Sequence, residues 1–294
     1  MLSKLAIGAA AVSSRLLHDE YNLDHLRGVD PLSIRVHPMV GSSQANCTTT
    51  VDRLKKGPAN IPEVIHWGTN NSTYRWIDED FQGKETLYQV PYVGNTNFQS
   101  TVDTNLNSGN YWFKSYTEQS PTTNIPIFKD NTATVDQVVQ GEAGTCYLMS
   151  SLASVAEAPQ VIKDVFLTDT KNSAGIIGVQ FYIRGKPWAV SLDSSFLYMY
   201  PSTPTLKFAQ VNMNDQAMWG PILEKAWAKV KGSYETADGG FVQTGLRAMT
   251  GVPVFSYLVS DVTTTALADA VWQTFEDAET NGYYAGAGTS GGSD

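Results

Sequence analysis

A cysteine with a glutamine six positions ahead of it, set in small residues, is the arrangement in this chain best suited to covalent chemistry: Gln140-Gly141-Glu142-Ala143-Gly144-Thr145-Cys146-Tyr147-Leu148-Met149. The thiol stands where a Gly-containing loop runs into an apolar pattern of helical spacing. A helix start offers unpaired N–H groups and partial positive charge, and both favour thiolate over thiol. The Gln140 side-chain amide suits an oxygen that turns anionic when a thiolate attacks a carbonyl. The other reading of Cys146 is a structural core thiol, because free cysteine is among the most buried residue types.

The elements that must position this segment can be read from periodicity. Leu148, Met149, Leu152, Val155 and Ala156 fall at helical spacing from Cys146 to Glu157, and Pro159 ends the run. Ile176–Ile183 and Trp188–Tyr198 alternate apolar and polar around Arg184-Gly185-Lys186, which predicts a hairpin. Asp215 is placed to cap a helix over Ala217–Lys231, with Gly232 beyond its end and a core face of Met218, Ile222, Leu223, Ala226, Trp227 and Val230. A shorter helix comes after Gly240 and carries Val242, Leu246 and Met249 up to Gly251. A last helix spans Thr264–Thr280, ahead of a strand-like Gly282–Ala287. Helices and hairpins without repeated strand–helix units make the fold α+β.

Residues from Asp19 to Thr123 read as a loop-rich leader that packs aromatic anchors onto the domain C-terminal to it, or as a propeptide covering a cleft. Short extended pieces are expected at Ile61–Trp67 and Thr86–Val93. Met1–Ser14 carries a short apolar run and suits a secretory signal, with a mitochondrial presequence as the alternative. Asn46-Cys47-Thr48 and Asn71-Ser72-Thr73 match glycosylation acceptors and favour the secretory or lysosomal route; without a signal the chain is cytoplasmic.

Composition narrows the function classes. The 294 residues, 42 % apolar and 11 % aromatic, are enough for a buried core. A net charge of −9 argues against nucleic acid or an anionic membrane as partner, and no run reaches transmembrane length. Cys47 and Cys146 are the two cysteines, neither in a metal-ligand spacing, so a working thiol at Cys146 leaves Cys47 as a buried or incidental one.

The run QGEAGTCYLMSSLASV at Gln140–Val155 resembles the nucleophile segment of the calpain family, a branch of the papain-like cysteine proteases. Trp219–Glu235, WGPILEKAWAKVKGSYE, with Gly239-Gly240 and Thr250-Gly251, is similar to a second block of that family, and Trp188–Asp193 to the strand between them. The resemblance covers Phe128 to Val259. It implies a papain-like catalytic core in which 126–260 is the helical cysteine lobe and 261–294 the start of a second, histidine-bearing lobe; the residue pattern ahead of it divides into a possible signal or targeting segment at 1–18 and the loop-rich region 19–125. It further implies a cysteine endopeptidase, a hydrolase of protein or peptide substrates, with Cys146 as nucleophile and Gln140 in the oxyanion hole. A non-catalytic calpain-like module that binds proteins or serves structurally is the rival. A third reading is another acyl-transfer enzyme of the superfamily, such as a transglutaminase.

The family's histidine and its Asn-Pro-Trp segment have no match. His18, His25, His37 and His66 all precede Cys146. The expectation is therefore a fragment of a longer frame that is inactive as it stands, with a complete but dead protein as the alternative. The resemblance also makes Glu224 look like a calcium ligand, although the acidic residue usual immediately before the cysteine is Thr145 here. Calcium takes about six to eight oxygens, so that replacement puts the ion in question. The plain reading of Glu224 is a solvated helix carboxylate or an ion pair. No other cofactor is implied.

Overall fold

The computed structural model describes residues 5–10, 76–88, 94, 96–172, 174–258 and 261–289. The four histidines, Cys47, both glycosylation triplets and the expected extended piece at Ile61–Trp67 lie outside them. Of the proposed targeting segment only Leu5–Ala10 is described. In chain order the strands are β1 (Leu5–Ala10), β2 (Tyr111–Ser115), β3 (Ile176–Ile183), β4 (Lys186–Asp193), β5 (Ser195–Met199), β6 (Thr205–Leu206), β7 (Val254–Leu258) and β8 (Ala285–Thr289). The α-helices are α1 (Thr96–Asn107), α2 (Cys146–Ala156), α3 (Pro159–Val165), α4 (Trp219–Lys231), α5 (Val242–Thr250) and α6 (Thr265–Asn281). Helices with small antiparallel sheets, ordered β7-β1-β8, β2-β5-β6 and β3-β4, make the chain α+β.

The helix carrying Cys146 begins at that residue and buries Leu148, Leu152 and Val155 completely. Burial of side chains this size is worth about 1.5–3 kcal/mol each, which holds the helix start rigidly against the core. Small residues let neighbours approach closely. A Cβ on Gly245 of α5 would lie 2.4 Å from Ser151 Oγ of α2, and that hydroxyl donates to Val242 O at 2.8 Å. Pro159 ends α2 as expected and also opens α3, where its missing N–H costs nothing.

The hairpin forms with Ile183 opposite Lys186 and a left-handed Arg184-Gly185 turn. The second expected strand is broken at Ser194. Asp193 Oδ1 takes the N–H of Ser195 at 3.0 Å, and the chain leaves β3 to pair with β2 as β5. Asp193 is fixed there by Lys225, whose Nζ reaches Asp193 Oδ1 at 2.6 Å and Ser195 O at 2.6 Å with both side chains buried. Burial pushes the Lys225 ammonium down, and Asp193 opposes that shift.

Three local expectations are corrected. Asp215 does not cap α4, which starts at Trp219 without a side-chain cap. Its carboxylate instead binds Lys129 at 3.0 Å and accepts from Thr134 Oγ1 and Gln137 Nε2, so long-range partners outcompete the local one. The expected extended piece at Thr86–Val93 begins as a 3₁₀ turn, Gly83–Thr86, that tucks Leu87 and Tyr88 into the core. The loop-rich reading also passed over α1 and β2. Phe81, Leu87, Tyr88, Val102 and Tyr116 share one apolar cluster with residues of α2 and α4.

Candidate active site

The segment ahead of Cys146 is laid along residues 207–210. Gln210 N–H donates to Val139 O at 2.9 Å and Glu142 N–H to Lys207 O at 3.0 Å. Glycine is required at 141, where a Cβ would fall 1.8 Å from Phe208 O. The Glu142 carboxylate pairs with the Lys207 ammonium, which also donates to Tyr111 Oη at 2.9 Å. From the other side, Gly239 N–H donates to Gly144 O at 2.9 Å. Tyr147 spans the gap: its hydroxyl donates to Ala237 O at 2.9 Å and accepts from Trp227 Nε1 at 2.7 Å. Gly240 lies over that ring, since a Cβ there would meet Tyr147 Cζ at 2.6 Å.

Cys146 emerges from this clamp exposed, as the first residue of α2. Among the described residues nothing accepts from its N–H or from that of Tyr147. A helix start of this kind presents donors and partial positive charge to an incoming anion. Gln140 is also exposed, but its amide Nε2 turns back on the loop and donates to Ala143 O at 3.0 Å. One N–H of the amide is thus engaged within the loop, which leaves the other to serve a ligand. Beside Ala143 a cleft of about 210 Å³ opens, lined by Phe98, Glu142, Phe208, Tyr234, Glu235 and Asp238. Phe208 and Tyr234 stack there with centroids 3.6 Å apart.

Glu224 is neither solvated nor paired with a base, which corrects the plain reading of it. It is 1 % exposed; its Oε1 accepts the Thr145 hydroxyl and its Oε2 the Ala209 N–H at 2.6 Å. Burial pushes its carboxyl up to about 7, against the two hydrogen bonds that pull it down. The donor set does not fit calcium. Each carboxylate oxygen already accepts a hydrogen bond, and the void beside them is about 10 Å³ and walled mainly by Phe196, Leu197, Leu206, Phe208, Pro221 and Tyr234. Among the described residues no group of three or more His, Cys, Asp and Glu side chains is placed to hold an ion.

Pattern reading passed over Thr145 as a partner of Glu224 and Asp238 as a neighbour of the cysteine loop. The only signal for Asp238 was its place just before Gly239-Gly240. The Thr145–Glu224 pair, 79 residues apart, had a signal only through the resemblance, which set both positions at one calcium site and gave no hint of a hydrogen bond between them.

The profile of the calpain family cysteine proteases matches residues 97–293. A calpain-type cysteine protease, DEK1 of Zea mays, is 36 % identical over 126 residues, which are 43 % of this chain and 6 % of the relative. Calpain clp-1 of Caenorhabditis elegans is 35 % identical over 117 residues, 39 % of this chain and 14 % of the relative. The calpain-2 catalytic subunit of Bos taurus is 30 % identical over 129 residues, 43 % of this chain and 18 % of the relative. The matched stretch thus spans less than a fifth of each of these proteins.

Proposed function

Because this chain belongs to the calpain family of cysteine proteases, we propose that it is the cysteine-bearing part of an endopeptidase with Cys146 as nucleophile. The observation that carries this reading is the exposed Cys146 thiol at the opening of α2, beside two N–H groups with no acceptor among the described residues. The thiolate attacks a peptide carbonyl and forms the C–S bond, while the carbonyl electrons move onto oxygen. The Cys146 N–H and the second amide N–H of Gln140 receive that oxyanion. Collapse expels the amine, which takes up a proton, and leaves a thioester on Cys146 for water to hydrolyse. Protein chains are the substrates, with one side chain seated in the cleft beside Ala143.

Residues 126–260 serve as the cysteine lobe and 261–294 contribute to the second lobe. Proton management by an imidazole falls to no residue between 67 and 294, since every histidine of the chain precedes that range. The 294 residues alone therefore turn over peptides poorly. No step is routed through calcium.

Competitive labelling with a peptide vinyl sulfone at neutral pH, read by peptide mapping, tests the reading. Modification of Cys146 in preference to Cys47, abolished by Cys146→Ala, is expected. Equal and slow labelling of both cysteines would assign Cys146 to a structural role.

A further inference from the structure

The apolar residues of α1 recur at Phe98, Val102 and Leu106, four positions apart, and so share one face of the helix. Val102 is buried in the core and fixes that face inward, while Phe98 and Leu106 are half-buried and pack against the core at its edge. Of this row it is Phe98 that lines the cleft of about 210 Å³, together with Ala143, Phe208 and Tyr234. The chain ahead of α1 is tied to the same residues. Tyr234 N–H donates to Thr86 O at 2.8 Å and Glu235 N–H to Leu87 O at 3.0 Å. A Cβ on Gly94 would fall 2.6 Å from Glu235 Oε1. The buried Tyr88 holds α1 itself, donating its hydroxyl to Asp103 Oδ1 at 2.6 Å. Backbone bonds, a close approach and a helix face thus set an aromatic ring from the N-terminal region into the wall of the cleft.

Ala143 is three residues from Cys146, a reach of at most about 11 Å. An extended peptide advances about 3.3 Å per residue, so a side chain in the cleft belongs to one of roughly three residues beside the bond under attack. Resting on the reading of Cys146 as nucleophile, we propose that Phe98 is a specificity-determining residue: its ring touches the substrate side chain that enters the cleft and sets how large that side chain can be. Thr86, Leu87 and α1 are thereby resident parts of the substrate site, not pieces of a propeptide to be shed. A methylene more or less in an apolar pocket changes rates by about tenfold or more, so the ring at 98 is felt as a size preference. Trimming it deepens the slot for a larger side chain, and enlarging it does the reverse.

The test uses two kinds of probe on the 294-residue chain. Peptide vinyl sulfones carry Leu or Phe at one of the three residues nearest the warhead, one position at a time. Iodoacetamide, which has no side chain to seat, reports the thiol alone. At one position Phe98→Ala is expected to raise the Phe-to-Leu rate ratio by about tenfold, and Phe98→Trp to lower it there by a similar factor. The other two positions and the iodoacetamide rate hold in both variants. Leu106→Ala loosens α1 without changing the cleft wall and is expected to leave every ratio unchanged. Ratios blind to residue 98 at all three positions, or the same shift in Leu106→Ala, would overturn the proposal. So would an equal loss of every probe, iodoacetamide included, in Phe98→Ala, which would make the ring a wedge for the fold. Should Phe98→Ala not fold, Phe98→Trp decides alone, a lowered ratio at one position supporting the proposal and unchanged ratios overturning it. Wild-type chain whose Cys146 is labelled no faster than Cys47 would remove the nucleophile reading and this proposal with it. Selective labelling of Cys146 in wild type, with ratios blind to residue 98, would remove only the proposal.

Discussion

Gly144 and Asp238 touch across the loop that presents the nucleophile: a Cβ on Gly144 would stand 1.7 Å from Asp238 Oδ1, while the next residue, Gly239, donates its N–H to Gly144 O at 2.9 Å. As placed, the loop and the Asp238 carboxylate therefore fit only with hydrogen as the side chain at 144. Gly144→Ala must push one of them away. The expected result is a tenfold to hundredfold slower reaction of Cys146 with a peptide vinyl sulfone, about the penalty for displacing a reacting group by an ångström. Adding Asp238→Ala makes room and is expected to recover much of the rate. No recovery in the double variant would mean that the contact is not what excludes a side chain.

Glu224 makes stability depend on pH with a definite sign. Its folded carboxyl is raised to about 7 from an ordinary 4.5, so below pH 4.5 both folded and unfolded chains hold the proton. Between the two values the unfolded chain has released it and the folded chain has not. Stability from this group is therefore fully present below pH 4.5 and is lost as pH rises through about 7. Glu224→Gln cannot titrate. Denaturant unfolding should show wild type losing about 2–3 kcal/mol relative to Glu224→Gln between pH 5 and pH 8. A constant difference across that range would contradict the burial argument.

The Lys225–Asp193 pair anchors the break between β4 and β5. Removing one partner leaves the other buried and uncompensated, because Lys225 is 3 % exposed and Asp193 4 %. Lys225→Met is expected to destabilise by about 3–5 kcal/mol, as breaking one half of a buried pair does. Lys225→Met combined with Asp193→Asn should cost less than Lys225→Met alone. Thermal unfolding of the three variants measures the coupling, and simple additivity would show that the pair is not acting as a unit.

Gly245→Ala tests how closely α2 and α5 must approach. The added methyl would lie 2.4 Å from Ser151 Oγ, and that hydroxyl is held by Tyr147 O and Val242 O, both at 2.8 Å. An overpacking cost of about 1–3 kcal/mol is expected, read as a lower denaturant midpoint at unchanged slope. Wild-type stability in this variant would mean that the two helices slide apart freely.

Near neighbours in sequence account for the part of the structure that the residues made legible. The start of α2 at Cys146, the Arg184-Gly185 turn, and α5 between Gly240 and Gly251 come from apolar spacing and glycine placement alone. The cap at Thr264 also acts locally, accepting from Leu267 N–H at 3.2 Å. Features settled by distant partners were illegible. Asp215 looks like a cap until Lys129, Thr134 and Gln137 compete for it. Glu224 and Lys225 look like the polar face of an amphipathic helix, yet α4 is buried from Trp219 to Ala228 and its charges find partners 79 and 32 residues away. In α1 the apolar residues Phe98, Val102 and Leu106 form a single row among polar ones, too thin to stand out from a loop. Gln140 was legible as an amide near the cysteine; that half its donor capacity is turned onto Ala143 O was not.

The most direct measurement is the rate of Cys146 alkylation in the native chain against the same residue in urea-unfolded chain at pH 7, followed by mass spectrometry. A sulfur presented at the opening of α2 beside open first-turn N–H groups is expected to react faster folded than unfolded, by about tenfold or more, because unfolding removes that helix start. A native rate equal to or below the unfolded one would leave Cys146 an ordinary exposed thiol and remove the nucleophile from the account.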